Sequence, residues 1–193
     1  MEAASFSQGS VLNISEVARE CAVERKVVES YFTILDDLLL AYRIPIFSKR
    51  AKRRLIVHPK FYFFDVGVYR TLRPMGPLDA PDEVEGISYE SLFFQELMAV
   101  NDYYGFGYKI YYWRTSSNLE VDFVLYGNRG LKAFEIKKRG RIPTSGFKGL
   151  KAFLKDYPTA KAYFIHGGER QMSEDAIDII PMEHALKNLS NIL

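Results

Sequence analysis

Between Asn118 and Arg139 the chain reads NLEVDFVLYGNRGLKAFEIKKR, and no other stretch restricts the fold as much. Leu119 to Tyr126 and Leu131 to Lys138 are rich in β-branched and aromatic residues, and Gly127-Asn128-Arg129-Gly130 between them supplies tight-turn chemistry. The pattern predicts a β-hairpin. With Asn128-Arg129 as a two-residue loop, Asp122 falls opposite Glu135, and Glu120 opposite Lys137. Like charges facing each other across a ladder are destabilising. The apolar neighbours Val121, Phe123, Phe134 and Ile136 mark a sheet interior that would screen them poorly. A positive charge is therefore expected between the two carboxylates.

That charge has two candidate sources. Lys137 projects from the same side of its strand as Glu135, because side chains alternate with period two, and could neutralise the pair. Alternatively a divalent cation bridges the carboxylates, as magnesium is commonly held by one or two carboxylates with waters and substrate phosphates. Lys137 would then be free to position a water. A plainer reading makes the stretch a charged hairpin edge, with a Glu120–Lys137 ion pair worth at most about 1 kcal/mol. The residues alone leave all three open.

With 193 residues, 48% of them hydrophobic, the chain can form one domain or two small ones. A net charge of +2 is too small to imply nucleic acid, so any basic surface has to be local. The single cysteine, Cys21, rules out an internal disulfide and suits a reducing cytoplasm. The N-terminal residues lack a basic-then-apolar leader, and no apolar run reaches spanning length, so a cytoplasmic chain without membrane contact is expected. The proline- and acid-rich stretch RPMGPLDAPDEVEG, residues 73 to 86, reads as linker. It divides the chain into residues 1–73, a linker at 74–86, and residues 87–193.

In the first block, Asn13 or Ser15 caps a short helix, SEVARECA. After a brief turn, ERKVVESYFTILDDLLLAY carries Val27, Val28, Tyr31, Ile34, Leu35 and Leu38 at helical spacing. Short helix, turn and longer helix form a helix-turn-helix pattern. Strands over Tyr42 to Phe47 and Leu55 to Phe64 then flank Ser48 to Arg54, which has the form of a wing. The block resembles a winged helix. From Arg43 to Lys60 there are seven lysines and arginines and no acid, so Lys49, Arg50, Lys52, Arg53 and Arg54 are candidate DNA-phosphate contacts. The longer helix carries Glu24, Glu29, Asp36 and Asp37 beside Arg25 and Lys26, a set poorly suited to reading base edges. Wing contact with DNA and a solvated basic loop both remain open.

The second block reads as a helix through ISYESLFFQELMAVNDYYG, a strand YKIYYWRT, the hairpin, a helix through Phe147, Leu150, Phe153 and Leu154, and a strand AKAYFIH. The order is αβββαβ. Ile177 to Ile180 adds a short strand and Glu183 to Leu193 a terminal helix. The fold class is α/β, α+β overall. No cysteine and histidine cluster has zinc spacing; His58 and His166 are expected to be structural or exposed, and His184 lies in the terminal helix.

An acid on the first helix, an aspartate on the second strand and Glu-x-Lys on the third make this αβββαβ core similar to the PD-(D/E)XK nuclease superfamily, restriction endonuclease-like in fold. Glu90, Asp122, Glu135 and Lys137 occupy those positions in order. The segments NISEVARECAVERKVVESYFTILDDLLLAYRIP, HPKFYFFDVGVYRTL, YESLFFQEL, YYWRTSSNLEVDFVL and AFEIKK extend the resemblance over most of the chain. They resemble the C-terminal region of a family of prokaryotic AAA-type ATPases, catalogued there as a domain of unknown function. The phosphate-cradling GxxxxGK[ST] loop is missing from the sequence, so the resemblance implies no ATP hydrolysis by these residues. The chain is expected to be a fragment without its motor or a stand-alone relative. A valine, Val121, stands where the superfamily has proline before the aspartate.

The resemblance implies a magnesium- or manganese-dependent endodeoxyribonuclease. Asp122, Glu135 and Glu90 would be the metal ligands and Lys137 the residue orienting the attacking water. Lys138, Arg139 and Arg141 would contact DNA, and an ATPase module or other subunits are the expected protein partners. The competing expectation is a nuclease-like scaffold or protein-interaction module without catalysis, because fold does not fix function.

Overall fold

The computed structural model describes residues 1–48, 58–77, 79–140 and 144–193. Lys49, Arg50, Lys52, Arg53, Arg54 and Arg141 lie outside the described residues. The fold is α+β, with helices and two sheets, as the sequence leads one to expect. The described residues form two compact units, one of residues 1–45 with 58–95 and one that includes residues 96–193.

The first unit runs α1 (Glu2–Ser5), β1 (Ser10–Val11), α2 (Ile14–Glu20), α3 (Arg25–Asp37), β2 (Ala41–Ile44), β3 (Lys60–Phe63) and α4 (Val66–Leu72). Its antiparallel sheet has the order β1-β3-β2. Asn13 caps α2, its side chain accepting the Glu16 N–H at 3.2 Å, while its amide donates to the Glu16 carboxylate at 3.1 Å. This reciprocal arrangement satisfies one of the helix's unpaired N–H groups. Helix α3 buries Val28 and Phe32, and Phe32 meets Phe61 of β3 edge to face with ring centroids 5.0 Å apart. Helix α5 (Pro81–Tyr103) begins inside the stretch read as linker. Proline fits the first helical turn, where its missing N–H costs nothing, and Asp82 and Glu83 favour the positive end of the helix dipole.

The second unit continues with β4 (Lys109–Arg114), β5 (Glu120–Gly127), β6 (Gly130–Lys137), a short 3₁₀ turn (Thr144–Phe147), α6 (Lys148–Asp156) and β7 (Lys161–His166). It closes with β8 (Met172–Glu174), β9 (Ile177–Pro181), α7 (Met182–Lys187) and α8 (Leu189–Ile192). The six strands lie in the order β4-β5-β6-β7-β9-β8. The β6–β7 and β7–β9 pairs are parallel and the others antiparallel. The expected terminal helix is split in two at Asn188.

One core of this unit lies beneath α6, whose buried Leu150 and Phe153 pack with Trp113, Val121, Val124 and Phe164. Gly149 brings the α6 backbone so close to β5 that a methyl group there would overlap the Glu120 carbonyl oxygen. Elsewhere in the unit, Phe134 stacks on Tyr163 with centroids 4.9 Å apart. Lys132 is 6% exposed and donates from Nζ to the Ile192 carbonyl at 2.7 Å. Burial lowers its pKa, and the neighbouring charges of Lys161 and Arg129 lower it further.

Gly149→Ala is expected to destabilise the chain by about 2 kcal/mol or more, because the obstacle is backbone and cannot rotate away. A urea titration beside wild type checks this. Lys132 supplies a pH test. Its folded-state pKa lies below the ordinary 10.5, so its penalty is full at neutral pH and fades as pH rises from the folded-state value towards 10.5. The stability of wild type relative to Lys132→Met should therefore improve across that window, as read from paired melting curves.

Candidate active site

The β5–β6 ladder runs from Gly127–Gly130 to Phe123–Phe134, the register expected for a two-residue turn at Asn128-Arg129. Past that point β5 pairs with β4 through Trp113–Val121 and Arg114–Glu120. Strand β6 meanwhile pairs with β7 through Glu135–Phe164, Ile136–Ile165 and Lys137–His166. Asp122 stands where the ladder stops. Its Oδ2 accepts the Ile136 N–H at 2.8 Å, so a side chain takes over from the backbone ladder.

Strand β5 also carries an irregularity here. Tyr111 pairs with Val124 but Trp113 with Val121, so two steps along β4 match three along β5. The extra residue lets Val121 and Val124, which a regular strand would send to opposite faces, enter the same core. Asp122 lies inside this bulge.

Three of the expected site residues come together at this point. The Lys137 Nζ lies 2.6 Å from Glu135 Oε1 and 3.6 Å from Asp122 Oδ2. Asp122 is 4% exposed and Glu135 8%, whereas the Lys137 side chain is 46% exposed. Buried carboxylates need a cation or strong donors, since desolvation penalises the charged form. Here Lys137 supplies that charge at the end of β6. Glu120 lies 3.4 Å from the Arg114 guanidinium.

Glu90 belongs to the first unit. Its carboxylate accepts the Tyr62 hydroxyl and lies 3.4 Å from Nζ of Lys60, which is only 1% exposed. Lys60 and Tyr62, two apart on β3, share a strand face and so reach the same carboxylate. Among the described residues no three histidine, cysteine, aspartate or glutamate side chains gather as a metal site. Asp122 and Glu135 still form a hard oxygen pair of the kind that holds magnesium with waters and substrate phosphates. The residues therefore fit a two-carboxylate cation site.

Lys138 and Arg139 are exposed where the chain leaves β6. On α3 the exposed face carries Val27, Tyr31, Ile34 and Leu38 at helical spacing. Apart from the Tyr31 hydroxyl, such a stripe offers no donors or acceptors to base edges.

A model of a domain of unknown function, DUF4143, matches residues 85–185, more than half of the chain and a span holding Glu90, Asp122, Glu135 and Lys137. The chain belongs to the DUF4143 family. A second domain of unknown function, DUF8612, matches residues 1–79 of this DUF4143 chain. Uncharacterized proteins of Mycobacterium bovis and Mycobacterium tuberculosis are each 25% identical to it over 182 residues, 92% of this chain. The chain spans 40% of the length of these curated relatives. No solved structure matches it.

Lys137→Ala leaves two buried carboxylates together without their shared cation. The expected cost is about 1–2 kcal/mol, below that of breaking a fully buried pair because Lys137 is half exposed. Lys137→Arg should recover most of it, and chemical denaturation of the three proteins at neutral pH checks the order.

Proposed function

We propose that this DUF4143 chain is the nuclease-like C-terminal module of an AAA-type ATPase-family protein and hydrolyses nucleic-acid phosphodiesters with magnesium or manganese. The observation that carries this reading is the convergence of Asp122, Glu135 and Lys137 where β5 and β6 part. The element order α5-β4-β5-β6-α6-β7 supports it, being the αβββαβ order of the restriction endonuclease-like core. The helix-turn-helix order α2-α3 followed by β2 and β3 supports a winged helix ahead of it.

In this reading Asp122 and Glu135 would hold the cation. A bound divalent ion lowers the pKa of a water and stabilises charge on the reacting phosphate. The protein does the rest. Burial of the two acids keeps their oxygens in a fixed, poorly solvated position, and the Asp122 bond to the Ile136 N–H locks that carboxylate against β6. Lys137 moves from neutralising the acids to orienting the attacking water and offsetting phosphate charge. Lys138 and Arg139 draw the backbone of DNA towards the end of the strand.

A second reading has a specific observation behind it. The exposed Val27, Tyr31, Ile34 and Leu38 of α3 suit a protein-contact surface better than a groove-reading helix. The first unit then serves as an interaction module, whatever the second one cleaves.

Supercoiled plasmid incubated with the full chain and manganese separates these. Cleavage is expected, and Asp122→Asn, Glu135→Gln and Lys137→Ala should each lower its rate by at least about 100-fold. A wild-type chain that neither cleaves nor binds manganese in calorimetry would leave the scaffold reading.

A further inference from the structure

The carboxyl ends of parallel strands are where open α/β sheets bind ligands, in the crevice just outside the strand ends. Strands β6 and β7 form such a pair, with Lys137 beside His166 at their carboxyl ends. A pocket of about 620 Å³ opens there, lined by Gly140, His166, Gly167, Gly168, Arg170 and their neighbours Glu169 and Met172. The catalytic reading uses none of these residues.

The loop leaving β7 is built around a buried imidazole. His166 is 1% exposed, and both of its ring nitrogens are used within five residues of chain. The Gly168 N–H donates to Nδ1 at 3.1 Å, so Nδ1 carries no proton and Nε2 does, donating it to the Arg170 carbonyl at 3.0 Å. The ring therefore folds Gly167 to Arg170 into one turn. Two glycines let that turn press against the chain leaving β6. A Cβ on Gly168 would come within 2.9 Å of the Gly140 carbonyl oxygen, a contact that side chains do not tolerate. The turn is thus held from inside by His166 and from outside by Gly140, with the exposed Arg170 at its end and Lys138 and Arg139 on the adjoining segment.

We propose that the pocket formed by Gly140 and the Gly167–Arg170 turn is a phosphate subsite for the nucleic-acid backbone, with Arg170 contacting the phosphate and His166 as its positioning residue. The inference rests on the phosphodiester reading of the adjacent Lys137 site and adds to it. Arginine suits a phosphate because its planar donors meet two oxygens at once. Glu169 lines the same pocket and opposes the attraction, so the net charge comes from Arg170 together with Lys138 and Arg139. A phosphate held beside Lys137 fixes the strand on one side of the scissile bond and so limits where the reacting phosphate can lie.

The test is equilibrium binding of a fluorescein-labelled DNA duplex to the full chain in EDTA, over a series of salt concentrations. Arg170→Gln is expected to weaken binding about 5- to 20-fold at low salt and to reduce the salt slope by about one, the signature of a lost phosphate contact. Arg170→Lys should keep the slope. Lys161→Gln makes the same charge change at the opposite end of β7 and should leave the slope unchanged. His166→Phe should reproduce the Arg170→Gln slope, and the double variant should lose nothing further, which a general loss of stability would not produce. Melting curves confirm that each variant is folded at the assay temperature. Should wild type bind the duplex and Arg170→Gln match it in affinity and slope, the subsite is wrong while the Lys137 reading stands. Should wild type neither bind nor cleave DNA, both fall together.

Discussion

Two buried carboxylates sharing one ammonium group form the constraint on which the second unit turns. Asp122 and Glu135 are too well buried to sit side by side uncompensated, and Lys137 approaches both. The sheet is arranged to allow it. The β5–β6 ladder ends one residue short of the acids while each strand keeps its outer neighbour, and the Asp122 carboxylate closes the gap by accepting the Ile136 N–H. A hairpin zipped through to its end would have left the same acids in a direct like-charge pair. Parting of the strands lets the Lys137 ammonium group approach both acids.

Packing around the fork maintains that arrangement without touching the acids. Helix α6 approaches β5 through the bare backbone of Gly149 and fills one core with Leu150 and Phe153. Lys132 is tied to Ile192 at the last turn of α8. The site residues therefore stand on strands that are covered by packed elements, and strands position side chains more precisely than loops do.

Much of this was legible in the residues. Gly127-Asn128-Arg129-Gly130 fixed the turn, the turn fixed the register, and the register brought Asp122 to Glu135. The Asn13 cap of α2 and the αβββαβ order followed from equally local signals. What escaped was non-local or irregular. The bulge in β5 leaves no trace in a pattern of apolar residues that reads equally well as simple alternation. The start of α5 at Pro81 was hidden because proline and acids serve a helix's first turn as readily as a linker. The contacts of Lys60 and Tyr62 with Glu90 span 28 or more residues, and no local rule contains them. The turn around His166 was equally hidden, since two glycines and a charged pair look like any surface loop until the imidazole is placed inside them.

The two-residue turn has a kinetic consequence. Asp122, Glu135 and Lys137 all lie on one hairpin, a local contact of the kind that closes in about 1–10 μs. Parallel pairing of β6 with β7 has to wait for the intervening segment with α6 to cross over, and such long-range pairing is slow. Mutual repulsion of the acids thus acts on the chain at its earliest stage, before the rest of the sheet can hold the strands in place. Lys137 is then present from the start as a chaperone within the hairpin, and its replacement should slow refolding as well as alter the finished site.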